Sequence, residues 1–192
     1  MNKDQILEVA AQIIRQKGFH ATSMQDIADG VNLQKASLYH HVASKQEILL
    51  ELLDQALDLI TESVSQVIQQ EISPQEKIHQ ACRVYLSALA NRSDVVSVLL
   101  LEHRSLEPKY RARHIPRRDR FEKLWRNMIQ EGIDAGVFCD TADIPLTARA
   151  LLGNLNWIIT WYKPAGPLTT NQIADHISSL FMDGLLCRTT SH

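Results

Sequence analysis

Glycine and proline are scarce in this sequence, with 7 and 6 residues respectively among 192. So small a supply of turn-formers excludes a turn-rich all-β fold and a Pro/Gly-rich disordered chain. Cysteine is limited to Cys82, Cys139 and Cys187, which lie far apart. None of them has the spacing of a zinc site or a redox pair, so they read as small packing residues in a reducing compartment. Neither sign of charge dominates: the net is −2, so any contact with nucleic acid has to come from a local surface. No apolar run reaches membrane-spanning length, and Met1-Asn2-Lys3-Asp4 opens no signal core. The expectation is a cytoplasmic chain with no membrane partner. Phosphate loops, nucleophile elbows and zinc-protease motifs are also missing. Glu76-x-x-His79 is half of a di-iron carboxylate pattern, and no second half follows. The chain therefore reads as a non-enzyme with no cofactor and no metal.

What is present is helix-forming sequence with enough apolar residues, 45%, to fill a core. Ile6, Leu7, Ala10, Ile13 and Ile14 mark one face of a first helix, stopped by Gly18, with Phe19 packing back. Ser23 and Asp26 form a capping box for a short helix. That helix ends near Gly30 to Asn32, residue types that tolerate a left-handed turn. A third short helix is expected from about Gln34 to His40. Ser44 and Glu47 open a long helix whose apolar positions persist from Ile48 to Ile68. Ser73-Pro74-Gln75-Glu76 starts another, to about Asn91. Further helices are expected from Asp94 to Arg104, from Arg117 to Ala135 after a loop through Pro108 and Pro116, from Asp143 to Tyr162, and from Thr169 to Leu186. The expected fold is all-α with about nine helices. The expected division is a three-helix unit over residues 1–45 and a second helical domain over residues 46–192.

The first three helices have the makings of a helix-turn-helix, which lays its second helix in the major groove of DNA. Ala28 is the small residue where the helices cross, Asn32 makes the turn, and Leu33 and Leu38 face inward. Gln34, Lys35 and Ser37 remain at the exposed start of the reading helix, where base edges lie. Tyr39, His40 and Lys45 follow at positions suited to phosphate. His20, His40 and His41 do not converge for chelation, because the adjacent pair points to different helix faces.

Ile6-Leu7, Gly18-Phe19, Thr22-Ser23-Met24, Asp26-Ile27-Ala28, Lys35-Ala36-Ser37-Leu38-Tyr39-His40 and Ser44-Lys45 resemble the N-terminal signature of the TetR family. The resemblance implies an all-helical, dimeric, usually ligand-relieved repressor that binds double-stranded operator DNA. By position it implies base readout from Gln34, Lys35 and Ser37, and phosphate contacts from Thr22, Ser23, Tyr39, His40 and Lys45. Asn32 stands where the family usually has glycine, Gln34 where serine is frequent, and Val42 where an aromatic is common.

Between His103 and Arg126 the sequence carries nine Lys or Arg and three acids, a local balance of +6. This is open to three readings: a solvated basic helix start, a cationic mouth for an anionic ligand, or a DNA contact. The position after the long connecting helix weighs against the last. Asn154, Trp157 and Trp161 recur at helical spacing, which suits core or dimer packing and, alternatively, a ligand pocket. Asn156-Trp157, Trp161-Tyr162, Pro164, Gly166, Leu168, Ile173-Ala174-Asp175 and Gly184-Leu185 are similar to a TetR subgroup. That subgroup includes regulators of fatty-acid and steroid degradation, which respond to acyl-CoA thioesters. That similarity implies an acyl-CoA effector, with Arg104, Arg111, Arg113, Arg117, Arg118, Asn154, Trp157 and Trp161 as candidate ligand residues.

Overall fold

The computed structural model describes residues 2–91, 93–141 and 143–185. Cys187 and the expected helix end at Leu186 lie outside the described residues. Among the described residues nine α-helices follow one another: α1 (Lys3–Lys17), α2 (Met24–Gly30), α3 (Lys35–Leu38), α4 (Lys45–Ile68), α5 (Pro74–Asn91), α6 (Ser93–Glu102), α7 (Pro108–Asp134), α8 (Ile144–Trp157) and α9 (Thr170–Leu185). Short 3₁₀ turns cover His103–Ser105 and Ile158–Thr160. The fold is all-α, as composition and periodicity require.

Local chemistry sets the helix starts. Ser23 Oγ accepts from the Asp26 amide, and the Asp26 carboxylate accepts from the Ser23 amide, closing the box. Ser44 and Ser73 accept from the amides of Glu47 and Glu76. Asp143 accepts from Leu146, and Thr169 and Gln172 cap each other. Gly18 ends α1 at φ 81°, and its amide donates to the Ile14 carbonyl at 2.7 Å.

Two boundaries differ from expectation. The basic segment is no loop: α7 begins at Pro108 and carries Pro116 inside it. Proline at a first helical position sacrifices no hydrogen bond. Pro116 removes only the bond to the Ala112 carbonyl, and both residues are exposed, so water can satisfy that oxygen. The α-helical part of α8 stops at Trp157 rather than Tyr162. There the chain tightens into a 3₁₀ turn, and Thr160 Oγ donates back to the Trp157 carbonyl at 2.7 Å.

The chain packs as two compact units. The first comprises residues 1–59 and 92–118. Its core is built from Ile6, Leu7, Ala10 and Ile14 of α1, Ile27 and Ala28 of α2, Leu38, Val42 and the first turns of α4, all buried. α6 packs along α1, and Arg15 pairs with Asp94. The second comprises residues 60–91 and 119–192. Here α5 lies along α9, with α8 also against α9. Ala81 and Ala174, both fully buried, supply small surfaces within this core. Arg83 makes a two-pronged pair with Asp175 at 2.5 and 2.9 Å, and Lys77 reaches Glu131 at 2.7 Å.

Candidate nucleic-acid interface

The turn between α2 and α3 is made by hydrogen bonds the sequence had to permit. Val31 donates to Ile27, and Leu33 donates to the Ala28 carbonyl at 2.9 Å. Asn32 adopts φ 54°, the left-handed conformation that asparagine tolerates better than most residues. Gln34 caps α3 with extended backbone, and Leu38 is fully buried. Leu33 is only half-buried. α3 is shorter than expected, with a looser turn carrying the chain through His40 and His41 to the buried Val42.

The predicted base-reading residues Gln34 and Lys35 are exposed, and Ser37 is half-exposed. Ser23, Tyr39 and His40 are exposed beside them. Gln34, Lys35 and Ser37 offer donors and acceptors that can reach base edges; a tyrosine hydroxyl, a serine and an imidazole can donate to phosphate. Thr22 and Lys45 are engaged within the protein. Thr22 is buried and its hydroxyl donates to the Gly18 carbonyl at 2.8 Å. Lys45 Nζ donates to the carbonyls of Phe19 at 2.8 Å and Thr22 at 2.5 Å, and sits 4.5 Å from the Phe19 ring centre. Burial holds its pKa below the ordinary lysine value, against the pull of Asp26 and Glu102. Lys17 and Ser23 hold the Asp26 carboxyl far below its ordinary range.

The sequence did not reveal that the α6–α7 corner belongs to this unit. Glu102 accepts from the Phe19 amide at 3.1 Å, and Ser44 shares a hydrogen bond with the Tyr110 hydroxyl at 3.2 Å. Gln46 clasps the corner from both sides: its amide donates to the Ser105 carbonyl and its oxygen accepts from the Glu107 amide, each at 3.0 Å. A cleft of about 550 Å³ opens there, lined in part by His20, Lys45, Arg104 and Glu107.

The candidate ligand arginines divide. Arg111 is turned onto the carbonyls of Arg104 and Leu106, and Arg117 is paired with Asp54 and Asp58. Arg104, Arg113 and Arg118 are exposed. These five belong to the first unit, whereas Asn154, Trp157 and Trp161 belong to the second. Trp157 is 66% exposed and Trp161 45%, so neither indole is part of this chain's core. Asn154 is exposed and donates to its own helix at Ala150. The neighbouring Asn156, which the spacing argument passed over, accepts from the buried Tyr85 hydroxyl at 2.5 Å. Tyr85, Phe121 and Trp125 form an aromatic cluster with ring centres 5.7 to 6.2 Å apart. The indole N–H of Trp125, a buried donor, has no acceptor among the described residues. Glu76 and His79 have structural partners, in Gln80 and Ser178. Among the described residues, no group of three His, Cys, Asp or Glu is placed to hold a metal ion.

A capped helix, a left-handed turn and a short helix with a polar exposed start define a helix-turn-helix DNA-binding protein. Residues 6–52 match the family described as bacterial regulatory proteins, tetR family, and residues 71–185 match the tetracyclin repressor-like C-terminal domain. The chain belongs to the TetR family and is a ligand-responsive, DNA-binding transcription regulator. It is similar to the transcriptional repressor KstR2 of Mycobacterium tuberculosis, 29% identical over 95% of this chain and 92% of that protein. The TetR-family regulator PfmR of Thermus thermophilus superposes with a TM-score of 0.85, at 34% identity over 95% of this chain and 99% of that one. AibR, solved in complex with isovaleryl coenzyme A and operator DNA, gives a TM-score of 0.83 at 32% identity, over 93% of this chain and 96% of that one.

Proposed function

We propose that this protein is a homodimeric repressor that an acyl-CoA thioester releases from its operator. Residues 1–45 serve as the DNA-binding part and residues 46–192 as the sensing and dimerising part. The observation that carries the DNA half is the polar row of exposed Gln34 and Lys35 and half-exposed Ser37, on a helix fixed by the buried Leu38. Gln34, Lys35 and Ser37 read bases; Ser23, Tyr39 and His40 hold phosphates. Thr22 and Lys45 fix the α1–α2 turn, from which Ser23 is presented. Likeness to AibR, whose structure holds isovaleryl coenzyme A, supports the effector class. So does the unpartnered Trp125 donor beside Tyr85 and Phe121, which suits an apolar ligand bearing a carbonyl oxygen.

Two half-sites bind a dimer only when its reading helices are spaced by about one helical turn of DNA, roughly 34 Å. An effector that binds better to a conformation with another spacing shifts the population away from the DNA-competent form. The test is binding to DNA flanking the protein's own gene, titrated with isovaleryl-CoA, palmitoyl-CoA and a steroid-type CoA thioester. Salt-sensitive binding that collapses with one of them supports the whole reading. Binding that ignores all three leaves the regulator and removes the acyl-CoA effector.

A further inference from the structure

The corner between α6 and α7 carries cations that the helix-turn-helix does not account for. Residues 92–118 pack in the same unit as the DNA-reading helices. Their anchor points, Phe19, Ser44 and Gln46, flank or adjoin Lys45. Arg104 lines the cleft with His20 and Lys45, and Ser105 Oγ lies 3.4 Å from His20 Nε2. Lys109 Nζ lies 4.7 Å from the ring centre of Tyr110, whose hydroxyl is the one that meets Ser44. Arg104 and Lys109 are exposed, and no carboxylate among the described residues pairs with either. Of the nearby acids, Glu102 is occupied by Phe19 and Ser105, which leaves Glu107 as the carboxylate in the cleft lining.

We infer that Arg104 and Lys109 extend the DNA interface beyond the helix-turn-helix, contacting the phosphate backbone alongside the α1–α2 turn. This rests on the DNA-binding reading above. An exposed guanidinium and ammonium, fixed to the unit that reads DNA, meet the densest array of negative charge that unit encounters. Arg111 and Arg117, of the same segment, are turned inward or paired and take no part. Phosphate contacts of this kind position the protein without choosing sequence.

The experiment measures operator binding by fluorescence anisotropy across a salt series, for the wild type, Arg104→Ala, Lys109→Ala and the double variant. Each lost contact should make the slope of log K against log salt shallower by about 0.9 and weaken binding roughly three- to tenfold at low salt. The loss should be equal on operator and random DNA. Arg104→Lys should restore the slope, and Lys163→Ala, the same charge change on the second unit, should leave it alone. Both alanine substitutions remove exposed side chains, and an unchanged melting curve verifies the fold. Variants with the wild-type slope overturn the inference. So does an unchanged slope with a raised isovaleryl-CoA requirement, which assigns these cations to the effector. A wild type with no salt-dependent DNA affinity sinks the DNA-binding reading itself, and this inference with it.

Discussion

Lys45 and Lys35 sit ten residues apart and are expected to do different work. The Lys45 ammonium donates to the carbonyls of Phe19 and Thr22; Lys45→Met removes both bonds and leaves the Phe19 oxygen with the longer one from the Thr22 amide, at 3.3 Å. Thermal melting should show a stability loss of about 1–3 kcal/mol, and an unchanged midpoint would mean the ammonium serves DNA alone. Lys35 is exposed, and Lys35→Ala should leave the melting midpoint in place. It should cost roughly 1–3 kcal/mol on the operator and little on random DNA, as the loss of a base contact requires. Equal losses on both DNAs would place Lys35 on phosphate instead. His103 gives a pH dependence. Partial desolvation, and then the charges of Arg104, Arg118 and His114, hold its pKa below 6.5, against a hydrogen bond to the Leu100 carbonyl. The folded chain thus binds this proton less well than the unfolded chain, and stability falls as pH drops below 6.5. His103→Gln should flatten the decline of the melting midpoint between that pH and about 5; parallel curves would exclude the residue.

At the scale of elements, the end of α7 shows how a helix can forbid its best helix former. Gly132 lies on α7, and a Cβ built there would stand 2.1 Å from the Phe138 ring. The amides of Val137 and Phe138 both donate to the Gly132 carbonyl, which fixes the ring over it. Intrinsic propensity favours alanine over glycine in a helix by about 1 kcal/mol. Overpacking of a fixed aromatic costs about 1–3 kcal/mol and is expected to prevail, so Gly132→Ala should lower the denaturation midpoint. A raised midpoint would show that Phe138 moves aside. The same competition between local and tertiary terms explains α7's start. Pro108 and Pro116 read as a loop because proline breaks helices, yet the lost bond faces solvent and the helix continues.

For the whole molecule the decisive surface is the one α8 and α9 leave open. Trp157 on α8 and Leu180 on α9 are each 66% exposed, and Leu146 is 63% exposed. Apolar residues of this size left in water are what a second copy of the chain covers in a homodimer. Trp157→Glu combined with Leu180→Glu should give a folded monomer by sedimentation, with DNA affinity lost because two half-sites are no longer read together. A dimer of wild-type strength would place the interface elsewhere.

Much of the fold was legible in the sequence because its determinants are local. Capping pairs such as Ser23 with Asp26 and Thr169 with Gln172 act over three residues. The period of α1's buried face and the turn at Asn32 are also read within a few positions. The polar start of α3 was legible for the same reason: Gln34 and Lys35 follow a turn that the backbone chemistry fixes, and both are exposed. Nothing local, however, shows that Arg117 is paired with Asp54 and Asp58, or that Arg104 lines a cleft with His20 and Lys45. Nor could spacing tell that Trp157 faces out while Asn156 receives the Tyr85 hydroxyl. Those outcomes depend on contacts across 50 to 90 residues of chain. Short-range hydrogen bonding and hydrophobic period determined the helices and the DNA-reading motif. Long-range packing alone decided which cations remain exposed, because a side chain's charge is written in the sequence but its partner is not.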